Sequence, residues 1–228
     1  MNDEQWQEKK RELLSQDFSI DREMMLVGGD VHLLEKYAGL LPDNSTIVEI
    51  GTYLGWSAVL LAKASPNSAH VWTMDAGVGP QIIHWLGEKI DDVEIAYKSV
   101  TDYTFNLAGV QDKVTFLYGS SHPSTELHLA EWAKRPIDLL FVDGDHSYDG
   151  AMADLIAWAP MVREGGYMLC HDHNWEEVAK AVRDFIKARP KWHELERKGL
   201  TIALQKGRVS GDKGSDDRVG RLRSILSG

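Results

Sequence analysis

Two short runs of this sequence concentrate the side chains that hold metals and move protons. Phe141 to Gly150 reads FVDGDHSYDG, passing from apolar residues into Asp143, Asp145 and His146; Gly166 to Asp172 reads GYMLCHD, ending in His171 and Asp172 with His173 next. In both, the acid sits at the end of an apolar run that reads as a strand. Two carboxylates brought together repel, and a site that keeps both ionised usually contains a cation. Oxygen ligands favour Mg2+, Ca2+ or Mn2+, whereas imidazoles from His146, His171 or His173 would shift the choice toward Mn, Zn or Fe. Such an ion lowers the pKa of a coordinated hydroxyl, and His146 or His173 can take up the proton because imidazole titrates near neutral pH. His146, His171, Asp172 and His173 would also suit a metal-dependent oxygenase or hydrolase. Bland roles fit the neighbours: His171 as a structural residue, Asp145 as a loop cap, Asp149 as the start of a helix and Asp154 as a solvated helix face.

A third run, IVEIGTYLGWS from Ile47 to Ser57, carries a glycine turn instead of acids. Gly51 can take the tight turn after the strand and let a ligand approach the backbone, with Gly55 four positions on. A dinucleotide fingerprint would need glycine where Tyr53 and Trp56 stand, and those side chains obstruct a pyrophosphate at the helix N-terminus. No G-K-[ST] follows, so the turn is not a P-loop. The next strand ends at Asp75, where a carboxylate can accept both hydroxyl protons of a ribose. Together these residues suggest a nucleoside ligand that lacks a pyrophosphate.

The elements that must position these groups follow from alternation of apolar runs with helical stretches. Strands are expected at 46–51, 70–75, 114–119, 137–144 and 166–172, with a hairpin over 191–207 turning at Lys198-Gly199. Helices are expected at 2–15, about 30–40, 56–64, 151–163 and from Asn174, read as a cap, to about Arg189. This is an α/β pattern: a doubly wound, seven-stranded, mostly parallel sheet with a C-terminal antiparallel hairpin. The ligand crevice then lies at the carboxyl ends of the strands. Residues 1–42 read as an N-terminal helical extension and 208–228 as a flexible tail, with exposed apolar residues on the N-terminal helices offering a homodimer contact. The segment 76–92, with Gly77, Gly79 and Pro80, reads as a lid. Trp158 and Trp132 read as core; Trp175 and Trp85 are candidates for stacking on a substrate.

Composition narrows the partners. A net charge of −10 argues against nucleic acid, where basic residues must neutralise phosphates. The single cysteine, Cys170, rules out an intramolecular disulfide and reads as buried and inert. With no apolar run long enough to span a bilayer and no signal-peptide order at the start, the expectation is a cytoplasmic protein without a membrane partner.

The order IVEIGTYLGWS, then Asp75, then FVDGDHSYDGAMADLIAWAPMVREGGYMLCHD resembles the class I S-adenosylmethionine-dependent methyltransferases. Within them it is most similar to the bacterial small-molecule O-methyltransferase-like group in which D-G-D-H-S-Y-x-G recurs. The resemblance spans residues 43–207 and implies S-adenosylmethionine as cofactor, a small-molecule acceptor and methyl transfer, most readily to oxygen. It places Glu49, Gly51 and Gly55 around the amino-acid and sulfonium part of the cofactor, with Thr52, Tyr53 and Ser57 of the same turn. Asp75 falls on the ribose with Ala76 beside it, and Gly119, Ser120 and Ser121 on the adenine; Asp143 belongs to this site as well. In the metal-dependent relatives, including catechol-type and macrolide-sugar O-methyltransferases, an aspartate follows the fourth strand and an acidic or Asp-Asn pair the fifth. That implies Asp143, Asp172 and His173 as ligands of Mg2+ or another divalent ion, with Asp143, His146 and His173 as catalytic residues. Here Asp172 is flanked by His171 and His173 instead of an Asn or a second acid. A non-catalytic, cofactor-binding subunit would retain the same nucleoside pocket.

Overall fold

A computed structural model describes residues 26–76, 93–121 and 135–207 of the chain. Its strands are β1 (Thr46–Ile50), β2 (His70–Asp75), β3 (Val114–Tyr118), β4 (Ile137–Val142), β5 (Val162–Cys170), β6 (Trp192–Lys198) and β7 (Thr201–Lys206). Its α-helices are α1 (Gly28–Gly39), α2 (Trp56–Ala64), α3 (Val93–Ala108), α4 (Tyr148–Trp158) and α5 (Glu176–Ala188). The strands form one sheet in the order β3-β2-β1-β4-β5-β7-β6. β1 to β5 are parallel, and β7 runs antiparallel between β5 and β6. This is the α/β sheet with a terminal hairpin that the sequence predicts. Strand order reverses between β1 and β4, so a crevice opens beyond their carboxyl ends.

β4 is buried along its whole length, as a central parallel strand must be. Its side chains alternate between two cores: Leu139 and Phe141 pack with Leu34 of α1, Leu60 of α2 and Phe105 of α3. Leu140 and Val142 face the other way, toward Leu155 and Trp158 of α4 and Phe185 of α5. Complete burial of a phenylalanine contributes about 1.5–3 kcal/mol, so Phe141 and Phe185, one per layer, are main anchors of the sandwich. Leu33, Leu34 and Tyr37 draw α1 into the same core as the sheet. The part of the N-terminal extension that the structure describes is therefore packed against the sheet layer.

Several boundaries differ from the sequence-based expectation. α4 begins at Tyr148, not Ala151, because Ser147 caps it by accepting the Gly150 N–H at 3.1 Å. A 3-10 turn over Ala159–Met161 ends that helix around Pro160, and Glu164-Gly165-Gly166, read as a helix stop, lies inside β5. α5 is capped by Trp175 with no side-chain bond, so Asn174 is not the cap. α3 was not expected at all: Val93, Ile95, Val100, Thr101 and Thr104 are β-branched and weaken its helical signal. The predicted helix at 2–15, the lid apart from Ala76, Trp85, Trp132 and the tail lie outside the described residues. Among the described residues, no helix is long and apolar enough to cross a membrane.

Candidate active site

The site begins where β1 runs out. Gly51 turns the chain at φ +91°, and a Cβ there would sit 1.8 Å from the Asp143 carbonyl oxygen, so only glycine lets the ends of β1 and β4 approach this closely. Its N–H donates to Met74 O at 2.9 Å. The next two N–H groups, of Thr52 and Tyr53, both donate to Asp75 Oδ2 at 3.0 Å. Asp75 thereby ties the end of β2 to the turn after β1. Gly55 opens α2 at φ +83°, and the space its side chain would need is filled by Phe105 at 2.7 Å.

Beneath the turn, Glu49 is completely buried. Its Oε2 accepts from Thr73 Oγ1, which is also 2.5 Å from Thr52 Oγ1. Its Oε1 has no hydrogen-bond partner among the described residues. Burial pushes the carboxyl up to about 8; the Ser57 and Thr73 hydroxyls oppose this, and the charges of Asp143 and Asp75 add to it. The folded state thus keeps a proton that the unfolded chain loses near its ordinary value of 4.5, so Glu49 subtracts stability progressively between about pH 4.5 and pH 8. Glu49→Gln removes that loss. We expect its thermal stability relative to wild type to improve from pH 5 to pH 8, by up to about 1.4 kcal/mol per pH unit. Melting curves across that range giving a constant difference would contradict this reading of Glu49.

The acidic run after β4 is a built turn. Asp145 Oδ1 accepts the Ser147 N–H at 2.8 Å, and Gly150 must be glycine because a Cβ would lie 2.4 Å from the Asp145 carboxylate. The turn carries His146 out to the crevice. β4 and β5 pair with Val142 opposite Cys170, so Asp143 and His171 emerge side by side. Asp172 follows at φ 51°, a left-handed conformation that is costly for a residue with a Cβ.

These residues form one network. His146 Nε2 lies 3.0 Å from Asp172 Oδ2 and 4.0 Å from Asp143 Oδ1. His171 Nδ1 lies 3.1 Å from Asp143 Oδ1 and 3.2 Å from Asp172 Oδ2, and its Nε2 lies 3.3 Å from Asp30 Oδ2. With carboxylates at both ring nitrogens, the His171 pKa is raised well above the usual range: burial alone would lower it, but the Asp143 charge and the bonds to Asp143, Asp172 and Asp30 outweigh that. For His146, the Asp143 carboxylate 4.0 Å away and the hydrogen bond to Asp172 outweigh burial and push its pKa up to about 10. Burial would raise both aspartates. The His171 charge and hydrogen bond, with the His146 imidazole nearby, hold Asp143 below the ordinary carboxylate range, and the hydrogen bonds from His146 and His171 with the imidazole charges do so for Asp172.

The crevice between these parts is lined by the Gly51 to Leu54 turn, Ser57, Asp75, Asp143, His146, His171 and Asp172, with Leu26 contributed from before α1. Of the residues singled out in the sequence, Gly51, Thr52, Tyr53, Ser57, Asp75, Asp143, His146, His171 and Asp172 face it. Glu49 and Gly55 lie beneath the turn, and Ala76 is exposed just past β2. Gly119 donates its N–H to Asp75 O at 2.8 Å, while Ser121 donates to Asp154 at 2.6 Å, so these end-of-β3 residues do not line the crevice. Ser120 is exposed between them. His173 is not grouped with Asp143 and Asp172; its N–H donates to Leu200 O at 3.0 Å, and its Nδ1 is buried without a hydrogen-bond partner among the described residues. Asp154, expected on a solvated face, is buried against Gly144 at the sheet side of α4. Trp175 is half exposed, with its ring 4.9 Å from that of His146. Cys170 is buried, and burial pushes its thiol up to about 12.

A family model described as "Methyltransferase domain" matches residues 48–173, and the chain belongs to that family. Catechol O-methyltransferase of Mus musculus is 28% identical over 127 residues, 55% of this chain and 41% of that protein. The chain thus matches less than half of that relative's length. Among solved structures, the O-methyltransferase from Bacillus cereus in complex with SAH aligns over 89% of this chain and 90% of its own, with a TM-score of 0.56 and 17% identity. The O-methyltransferase NovP aligns over 84% and 85%, with a TM-score of 0.61 and 18% identity. At such identities the likeness is one of fold.

Proposed function

We propose that this chain is an O-methyltransferase that moves the methyl group of S-adenosylmethionine to a hydroxyl of a small aromatic compound, within residues 43–207. The observation that carries the reading is that the Gly51–Asp75 crevice opens directly onto Asp143, His146 and Asp172. The D-G-D-H-S-Y string supports it by building the turn that presents His146. In the transfer, the acceptor oxygen forms a bond to the methyl carbon as the carbon–sulfur bond breaks, leaving a methyl ether, S-adenosylhomocysteine and the hydroxyl proton. S-adenosylmethionine supplies the activated methyl group.

The residues fit that cofactor: Gly51 leaves bare backbone at the turn, and the Asp75 carboxylate ends β2 at the crevice, where a ribose can donate to it. They also fit a divalent ion, since Asp143, His146 and Asp172 each offer one ligand atom and all three lie within 4.8 Å of one another. Such an ion would lower the pKa of a coordinated acceptor hydroxyl. The chain's own contribution is to hold two ionised carboxylates at the mouth and to keep the acceptor in line with the methyl group. The carboxylates beside His146 favour its protonated form, and its Nε2 can serve an ion only after that proton leaves, so the same nitrogen cannot both hold an ion and take up the acceptor's proton. Trp175 lies outside the residues that line the crevice, and its half-exposed ring beside His146 is the surface offered to an acceptor ring. The catechol named for the murine relative is consistent with such an acceptor.

The test is transfer of a labelled methyl group to catechol and to a non-aromatic polyol, with Mg2+, with Mn2+ and with chelator. Methyl ether formed from catechol and suppressed by chelator supports the reading. Tight SAH binding with no transfer to any acceptor would favour a cofactor-binding subunit instead, and transfer undiminished by chelator would remove the ion.

A further inference from the structure

Asp30 is fully buried at the start of α1, yet it touches the active site. Its Oδ1 accepts the Leu200 N–H at 2.7 Å and the Thr201 hydroxyl at 2.8 Å. Its Oδ2 accepts the Val27 N–H at 2.8 Å and faces His171 Nε2 at 3.3 Å. The approach that allows this is close: a Cβ on Gly29 would lie 2.2 Å from Gly199 N, and one on Gly199 would lie 2.6 Å from Asp30 Oδ1. Helix α1 and the β6–β7 turn are thus locked together around one carboxylate. Its remaining contact leads through the His171 ring to Asp143 Oδ1 and Asp172 Oδ2.

We propose that Asp30 and His171 form a positioning relay that fixes the Asp143 and Asp172 carboxylates for a divalent cation, making the helix before β1 part of the active site. The relay rests on the ion-binding reading above. His171 is not a ligand in this arrangement. It donates from one nitrogen to the two carboxylates while Asp30 fixes the plane and position of its ring from the other. Ligand carboxylates hydrogen-bonded to a fixed donor lose rotational freedom, and removing such partners weakens metal affinity by about 10–100-fold.

The experiment is calorimetric titration of Mn2+ into the full chain as wild type, Asp30→Asn and Thr201→Val, each checked by thermal melting. The Asp30→Asn substitution keeps the shape of the side chain; with its oxygen facing Leu200 and Thr201, its NH2 group meets the Val27 N–H and His171 Nε2, so both of those bonds are lost. Thr201→Val removes a different bond of the same carboxylate and leaves His171 untouched. The relay predicts at least about a 10-fold rise in the Mn2+ dissociation constant for Asp30→Asn and less than about a twofold change for Thr201→Val. If Asp30→Asn does not fold, His171→Gln carries the same comparison, because Asp30 keeps its bonds to Val27, Leu200 and Thr201. Equal weakening in both variants would make Asp30 merely structural, and an unchanged constant in Asp30→Asn would also overturn the relay. Absence of Mn2+ binding by wild type would overturn the ion site itself, and the relay with it.

Discussion

Gly51→Ala is expected to force the ends of β1 and β4 apart and deform the crevice between them. The alanine methyl would be driven 1.8 Å from the Asp143 carbonyl oxygen in a residue held at φ +91°. Neither strain relaxes locally, because the Gly51 N–H is bonded to Met74 O and β4 is buried on both faces. Overpacking costs about 1–3 kcal/mol and a left-handed Cβ about 1–2 kcal/mol, giving roughly 2–5 kcal/mol together. For a chain of this size that corresponds to a drop in Tm of about 5–15 °C. SAH binding should become undetectable, since the strand ends must part to accommodate the methyl. A variant that melts within about 2 °C of wild type and binds SAH normally would show that the two strand ends are not so closely apposed.

Asp143→Asn is expected to have the largest effect on turnover. Asp143 ends β4 between the Gly51 turn and the acid–imidazole network, so one carboxylate lines the proposed cofactor crevice and belongs to the proposed cation site. The amide keeps the shape and loses the charge. We expect methyl transfer to fall by about 1,000-fold, equivalent to ~4 kcal/mol of transition-state stabilisation. SAH affinity should fall by less than about 10-fold, because the thioether product carries no sulfonium charge for the carboxylate to attract. Single-turnover rates with matched SAH titrations check this; equal losses in rate and in SAH affinity would mean that Asp143 only shapes the pocket.

What could be read from the sequence was what local chemistry fixes. Gly51, Asp75 and Asp143 stand at strand ends, and strand ends show in the sequence as apolar runs stopping at a glycine or an acid. The fold followed from the same runs, because β4 and its neighbours are buried on both faces. His171 was legible as buried but not as a partner of Asp143, since that depends on β4 pairing with β5 at Val142 and Cys170. His173 would share the face of His171 if the strand stayed extended. Asp172 at φ 51° breaks that alternation and turns the chain toward Leu200. Asp30 left no signal, because it meets His171 across 141 residues of sequence. Asp154 misled because a helix carries acids on its buried face only when a partner such as Ser121 satisfies them, and that partner is 33 positions away.

Whether the crevice between β1, β2 and β4 binds S-adenosylmethionine is tested most directly by calorimetric titration of S-adenosylmethionine and SAH into wild type and Asp75→Ala. Micromolar binding by wild type is expected, with weakening of at least about 10-fold, ~1.4 kcal/mol, in a variant that still folds. A folded wild type that binds neither compound, or an Asp75→Ala variant that binds both as tightly, would contradict the assignment of this crevice to the cofactor.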